Sequence, residues 1–84
     1  MATMEIGVVP IGTNTPSISS YVAEAVKVLE KEHAKYEITA MGTIVEAGVK
    51  ELFQLAEKMH EAVMSNDVAR IVTYIKIDDR RISH

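Results

Sequence analysis

The sequence predicts a small α+β domain in which a four-stranded antiparallel sheet carries two helices on one face. Two segments repeat apolar residues at helical spacing, one from residue 18 and one from residue 49. Four other segments are short and rich in β-branched residues, as strands are. The order is strand, helix, strand, strand, helix, strand, and the 84 residues suffice for a single domain spanning 1–84.

The first strand is predicted over residues 4–11, MEIGVVPI, with a proline and a following glycine marking its end. Apolar side chains occupy both parities of this strand: Met4, Ile6 and Val8 on one, Val9 and Ile11 on the other. Because successive side chains of a strand point to opposite faces, this pattern predicts a strand that is covered on both sides.

The loop that follows, PIGTNTPS, leads into the first helix. Ser17 is the expected N-cap, and apolar residues at 18, 22, 25, 26 and 29 predict a helix that ends near His33. The loop lacks the second glycine and the lysine of a phosphate-binding loop, and it has no arginine for the phosphate-ester chemistry of acylphosphatases. A helix N-terminus can bind an anion or the polar edge of a ligand; the alternative is a purely structural turn.

The second half of the chain predicts a hairpin, a helix and a last strand. Residues 36–41 and 43–46 alternate as two strands, with Gly42 between them as a turn or bulge residue. Apolar positions from Val49 to Val63 have helical spacing, and SNDVA (65–69) ends that helix. The last strand is predicted over 70–78, with Ile71, Thr73, Ile75 and Ile77 on one face and Val72, Tyr74 and Lys76 on the other.

This order of elements is the βαββαβ pattern of ferredoxin-like folds. Right-handed crossovers place both helices on one face of the sheet and leave the other face without a cover. Val9, Val72 and Tyr74 belong to that uncovered face, and exposed apolar patches are usually buried by a partner. We therefore expect a homo-oligomer in which the sheets of two copies pack face to face.

The residue types and their spacing suggest no catalytic constellation. The chain has no cysteine, so thiolate metal sites and cysteine nucleophiles are excluded, and its three histidines are too far apart to suggest a metal site or a catalytic triad. We expect His60 to be a hydrogen-bonded helix residue. A net charge of −3 with dispersed Lys and Arg argues against nucleic acid. No signal peptide and no apolar run of roughly 20 residues is present, so a cytoplasmic location without membrane contact is expected.

Four collinear segments carry a family resemblance: VPIGTNTPSISSYV, YEITAMGTIVEA, MHEAV and RIVTYIKIDDRR. Together they resemble the YkoF-like thiamine-binding family. The resemblance implies a ferredoxin-like fold with sheets packed face to face, in a homodimer or a homotetramer. It also implies non-catalytic binding of thiamine or its hydroxymethylpyrimidine part, by a carrier, sensor or salvage component that needs no cofactor.

The resemblance places the ligand between the helices and the sheet, near the first loop and the hairpin. By position, Ser17 and Ser20 would bond the ligand from the start of the helix and Thr43 from the hairpin, while Met41 would line the slot. Glu46 would neutralise the thiazolium cation, or else face solvent at the end of its strand. The alternative function is a structural or regulatory homo-oligomerisation module that binds no thiamine or a different small ligand.

Overall fold

The computed structural model describes residues 1–12, 19–64 and 68–82. The elements are β1 (Ala2–Ile11), α1 (Ser19–Lys31), β2 (Lys35–Thr39), β3 (Gly42–Ala47), α2 (Val49–Met64) and β4 (Arg70–Asp78). The sheet order is β2-β3-β1-β4, and every neighbouring pair is antiparallel. This topology confirms the predicted ferredoxin-like α+β fold.

Several element boundaries differ from the sequence prediction by one or two residues, among them the start of β1 at Ala2. The strand β2 ends at Thr39, because Ala40 and Met41 form the hairpin turn; the Thr39 hydroxyl accepts a bond from the Met41 N–H and donates one to the Gly42 carbonyl. The helix α1 ends at Lys31, and His33 follows with a φ of 55°. The predicted N-cap, Ser17, lies outside the described residues.

Both helices pack on the same face of the sheet. Met4, Ile6 and Val45 point to this face and are almost fully buried. They contact buried side chains of both helices: Ala25 and Leu29 of α1, and Leu52, Leu55, Ala56, Met59 and Val63 of α2. Burying each large apolar side chain contributes about 1.5–3 kcal/mol to stability, so this layer holds the two helices in place.

The sheet face directed away from the helices, here called the outer face, has a charged end and an apolar end. Cross-strand rows at the charged end are Lys35, Glu46, Thr3 and Asp78, then Glu37, Ile44, Glu5 and Lys76. The apolar end comprises Val9, Ile11, Val72 and Tyr74, each more than 40% exposed in the single chain. The predicted apolar residues Val9, Val72 and Tyr74 thus do lie on the side without helices.

The strand β1 is longer than its neighbour β3. Pairing with β3 stops at Ile6, which lies opposite Thr43, whereas pairing with β4 continues to Ile11. From Gly7 onward β1 therefore has a free edge, at which no other described strand satisfies its backbone groups. This difference in strand length leaves a notch in the sheet next to the hairpin turn.

The histidine of α2 has the structural role expected from the sequence. The His60 Nδ1 and the Thr73 hydroxyl of β4 form a hydrogen bond at 2.7 Å, which ties the helix to the sheet. Across the described ranges, neither α1 nor α2 is long and apolar enough to cross a membrane.

Candidate functional site

A cleft of about 230 Å³ occupies the notch beside the free edge of β1. Its walls come from β1, α1, the hairpin, α2 and β4: Ile6, Gly7, Val8, Val9, Val22, Ala25, Ile38, Thr39, Ala40, Met41, Gly42, Thr43, Met59 and Tyr74. Val8 points to the helices and Val9 to the outer face, because successive side chains alternate. A cleft lined by both therefore passes around the sheet edge and reaches the outer face.

Thr43 gives the cleft a buried hydrogen-bonding group. Its side chain is on the helix side of β3 and the residue is only 7% exposed. Among the described residues, this hydroxyl has no hydrogen-bond partner. Every fully buried side-chain oxygen in the described part of the chain does have a partner, so the Thr43 hydroxyl is not fully buried. The hydroxyl is therefore open to the cleft, where it can donate to or accept from a ligand.

Tyr74 forms the outer wall of the cleft. Its ring lies over Gly7, so closely that a Cβ atom at Gly7 would be 2.1 Å from Cε1 of the ring. The hydroxyl crosses β1 and donates to the Met41 carbonyl at 2.6 Å. The ring thus packs on a strand position without a side chain and holds the hairpin turn at the mouth of the cleft.

The described lining of the cleft carries no charge, since none of its residues has a charged side chain. Displaced pKa values occur elsewhere: the bond with Lys58 lowers the pKa of Glu32, and the bond with Glu46 raises the pKa of Lys35. Removal from water raises the pKa of Tyr36. The described lining therefore suits binding of a small polar molecule better than proton transfer.

The family of this chain follows from its sequence. A family model described as thiamine-binding protein matches residues 4–83. The chain belongs to this family.

Proteins similar to this thiamine-binding family member occur in bacteria, in archaea and in a fungus. A UPF0045 protein from Methanothermobacter thermautotrophicus is 48% identical, over 96% of this chain and 83% of its own length. The UPF0045 protein YqgV from Bacillus subtilis is 42% identical, over 96% and 82%. The crystal structure of a Methanocaldococcus jannaschii protein superposes with a TM-score of 0.87 at 35% identity, covering 99% of this chain and 84% of that one.

The structure brings two of the predicted site residues of this family member together and separates the others. Met41 and Thr43 both line the cleft. Ser20 is exposed on α1 and is not among the lining residues, and Ser17 lies outside the described residues.

Glu46 lies on the outer face, across the sheet from Thr43, and therefore does not line the cleft. Its Oε2 is 2.8 Å from the Lys35 Nζ, and both side chains are solvent-exposed. The structure agrees with the alternative in which Glu46 faces solvent at the end of its strand. Positions 43 and 46 are three apart in one strand, so their side chains must point to opposite faces.

Tyr74 and Gly7 are lining residues for which the sequence predicted no role in the ligand site. A glycine inside a strand often marks a close approach of another group, and Gly7 is such a signal. The sequence does not show which side chain makes the approach, since Tyr74 pairs with Gly7 only through the register of β1 and β4.

Proposed function

We propose that this protein binds thiamine, or its hydroxymethylpyrimidine part, in the cleft beside β1 and performs no chemistry on it. It would act as a carrier, sensor or salvage component. The observation that carries the proposal is the free hydroxyl of Thr43 in a cleft with an uncharged described lining, bordered by an unpaired strand edge. The family description, thiamine-binding protein, supports the choice of ligand.

The pyrimidine ring suits the inner part of this cleft. An aminopyrimidine is a flat ring with donors and acceptors along its edge, and the free edge of β1 offers backbone donors and acceptors in one plane. The Thr43 hydroxyl adds a further partner. At 230 Å³ the cleft is smaller than the roughly 300–1,000 Å³ of pockets that enclose drug-sized molecules, so it suits a single ring.

The thiazolium ring would then lie toward the mouth of the cleft. There the face of Tyr74 can attract a cation without a carboxylate. A diphosphate would find no cationic side chain among the described lining residues, which favours unphosphorylated thiamine.

Calorimetric titration with thiamine and, separately, with hydroxymethylpyrimidine tests the proposed function. We expect saturable binding of micromolar or tighter affinity, with one ligand per subunit. The absence of both heat and thermal stabilisation with either compound would contradict the proposal. It would favour the alternative, a homo-oligomerisation module.

We also propose that the protein is a homodimer in which the outer faces of two copies pack together. The apolar end supplies Val9, Val72 and Tyr74 for burial. The charged end is complementary to itself under a two-fold axis parallel to the strands. That axis places β2 opposite β4 of the partner and β3 opposite β1 of the partner. Each cross-strand row of one copy therefore faces the same row of the other copy, with the strand order reversed.

Under this axis two edge pairs have opposite charge. Lys35 faces Asp78 of the partner subunit, and Glu37 faces Lys76 of the partner subunit. A two-fold axis perpendicular to the strands would instead place the charged end of one copy against the other copy's apolar end. The charge pattern therefore favours the axis along the strands.

Charge reversal at one of these pairs tests the dimer. Glu37→Lys places two lysines opposite each other, and we expect the dimer dissociation constant to rise about tenfold or more, because like charges across an interface are costly. The double variant Glu37→Lys/Lys76→Glu restores opposite charges and should restore dimerisation. Sedimentation equilibrium measures both, with Glu57→Lys on the exposed side of α2 as the matched charge control.

A monomeric wild-type protein would contradict the proposed dimer. So would a double variant that stays as weak as Glu37→Lys.

A further inference from the structure

The outer mouth of the cleft lies within the face that the proposed dimer covers. The cleft reaches the outer face because the pairing of β3 with β1 stops at Ile6, and the next outward positions of β1 are Gly7 and Val9. In the cross-strand row of Val9 and Val72 the sheet has no β2 or β3 residue. Among the described residues, the notch is a gap in the surface at this row.

The two-fold axis that pairs the charges also sets what lies over this gap. It places β1 of one copy opposite the β3 position of the other. In the row of Val9, that position is the notch. The side chain of Val9 points outward and is 42% exposed in the single chain, so it is free to project across the interface.

We propose that each ligand site is completed across the dimer, with Val9 of the partner subunit closing the outer mouth of the cleft. This inference rests on the proposed function and the proposed dimer. It adds that the monomer holds the ligand in a cleft open on one side, whereas the dimer encloses it. Ligand affinity and dimer affinity are then coupled, and each strengthens the other by the same factor.

Two charge variants provide the test without altering the cleft. Glu37 and Lys76 do not line it. Glu37→Lys and Lys76→Glu each repel their own copy, but a mixture of the two variants forms a heterodimer in which both edge pairs are attractive. We expect each variant alone to bind thiamine about fivefold or more weakly than the wild type, and the mixture to regain the wild-type affinity.

The partner's contribution is isolated by adding Val9→Ala to one copy of the heterodimer. Val9 also lines the cleft of its own subunit, so the substitution alters that subunit's site whether or not Val9 closes the partner's cleft. If Val9 of the partner subunit closes the mouth, both sites weaken and no site of wild-type affinity is left. If it does not, one of the two sites keeps wild-type affinity.

Calorimetry counts these sites, and sedimentation confirms the assembly state of every sample. Equal ligand affinity in the monomeric variants and in the heterodimer would overturn the inference while leaving the proposed function intact. If the wild-type dimer does not bind thiamine, the proposed function itself is refuted. A wild-type site in the Val9→Ala heterodimer would show that the partner does not close the cleft.

Discussion

Replacing Gly7 with alanine is expected to lower the free energy of unfolding by about 1–3 kcal/mol and to weaken ligand binding at the same time. The added Cβ would be 2.1 Å from Cε1 of Tyr74, far inside van der Waals contact, so the ring and the strand cannot both keep their positions. The ring must leave its position, which breaks the bond from its hydroxyl to the Met41 carbonyl. The outer wall of the cleft and the anchor of the hairpin are lost together.

Urea unfolding and calorimetric titration measure the two effects. A double-mutant cycle identifies the mechanism: in the background of Tyr74→Ala the ring is absent, so Gly7→Ala should cost little. An equal loss of stability in both backgrounds would rule out the Tyr74 ring as the cause.

Replacing Thr43 with valine is expected to lower ligand affinity about tenfold and to leave stability unchanged or slightly higher. Valine has the shape of threonine without the hydroxyl. In the free protein that hydroxyl has no partner among the described residues, so its removal deletes no hydrogen bond to them. In the complex the ligand would lose a hydrogen bond in a nearly buried position.

Thr43→Ser is the matched variant with the opposite expectation. It keeps the hydroxyl and removes a methyl group from a site that is 7% exposed. Stability should fall by about 1 kcal/mol because a buried methyl is lost, while affinity should stay near that of the wild type. Calorimetry and urea unfolding on both variants give the comparison. Unchanged affinity in Thr43→Val would remove Thr43 from the ligand site.

Much of the fold could be predicted from local patterns. The last strand begins and ends where the β-branched run does, at Arg70 and Asp78. The second helix covers the predicted apolar stripe and one further residue, Met64. The hairpin boundary was less accurate, because Ala40 and Met41 are apolar and prolong the strand pattern in the sequence. In the structure they form a turn, in which the Thr39 hydroxyl accepts a bond from the Met41 N–H and donates one to the Gly42 carbonyl.

The candidate site was only partly predictable. Met41 and Thr43 belong to the cleft because the hairpin that carries them lies next to β1 in the sheet. The location of Glu46 on the outer face also follows from the two-residue period of a strand, because Glu46 is three positions from Thr43. The predicted ligand role of Glu46 was inconsistent with this period. Tyr74 is separated from Met41 by most of the second half of the chain, and no local pattern connects them.

By itself the sequence determined the order of the elements, the faces that the core residues occupy, and the absence of charged residues from the segment 12–18 and from the hairpin turn. These properties depend on periods of 2 and 3.6 residues and on residue type, which are local. Only the tertiary structure decided where β3 stops along β1, and with it the notch, the exposed hydroxyl of Thr43 and the contact of Tyr74 with Gly7. The relative register of β1 and β3 depends on packing between segments that are joined through a helix and a hairpin, so it is set by the whole core rather than by any one stretch of sequence.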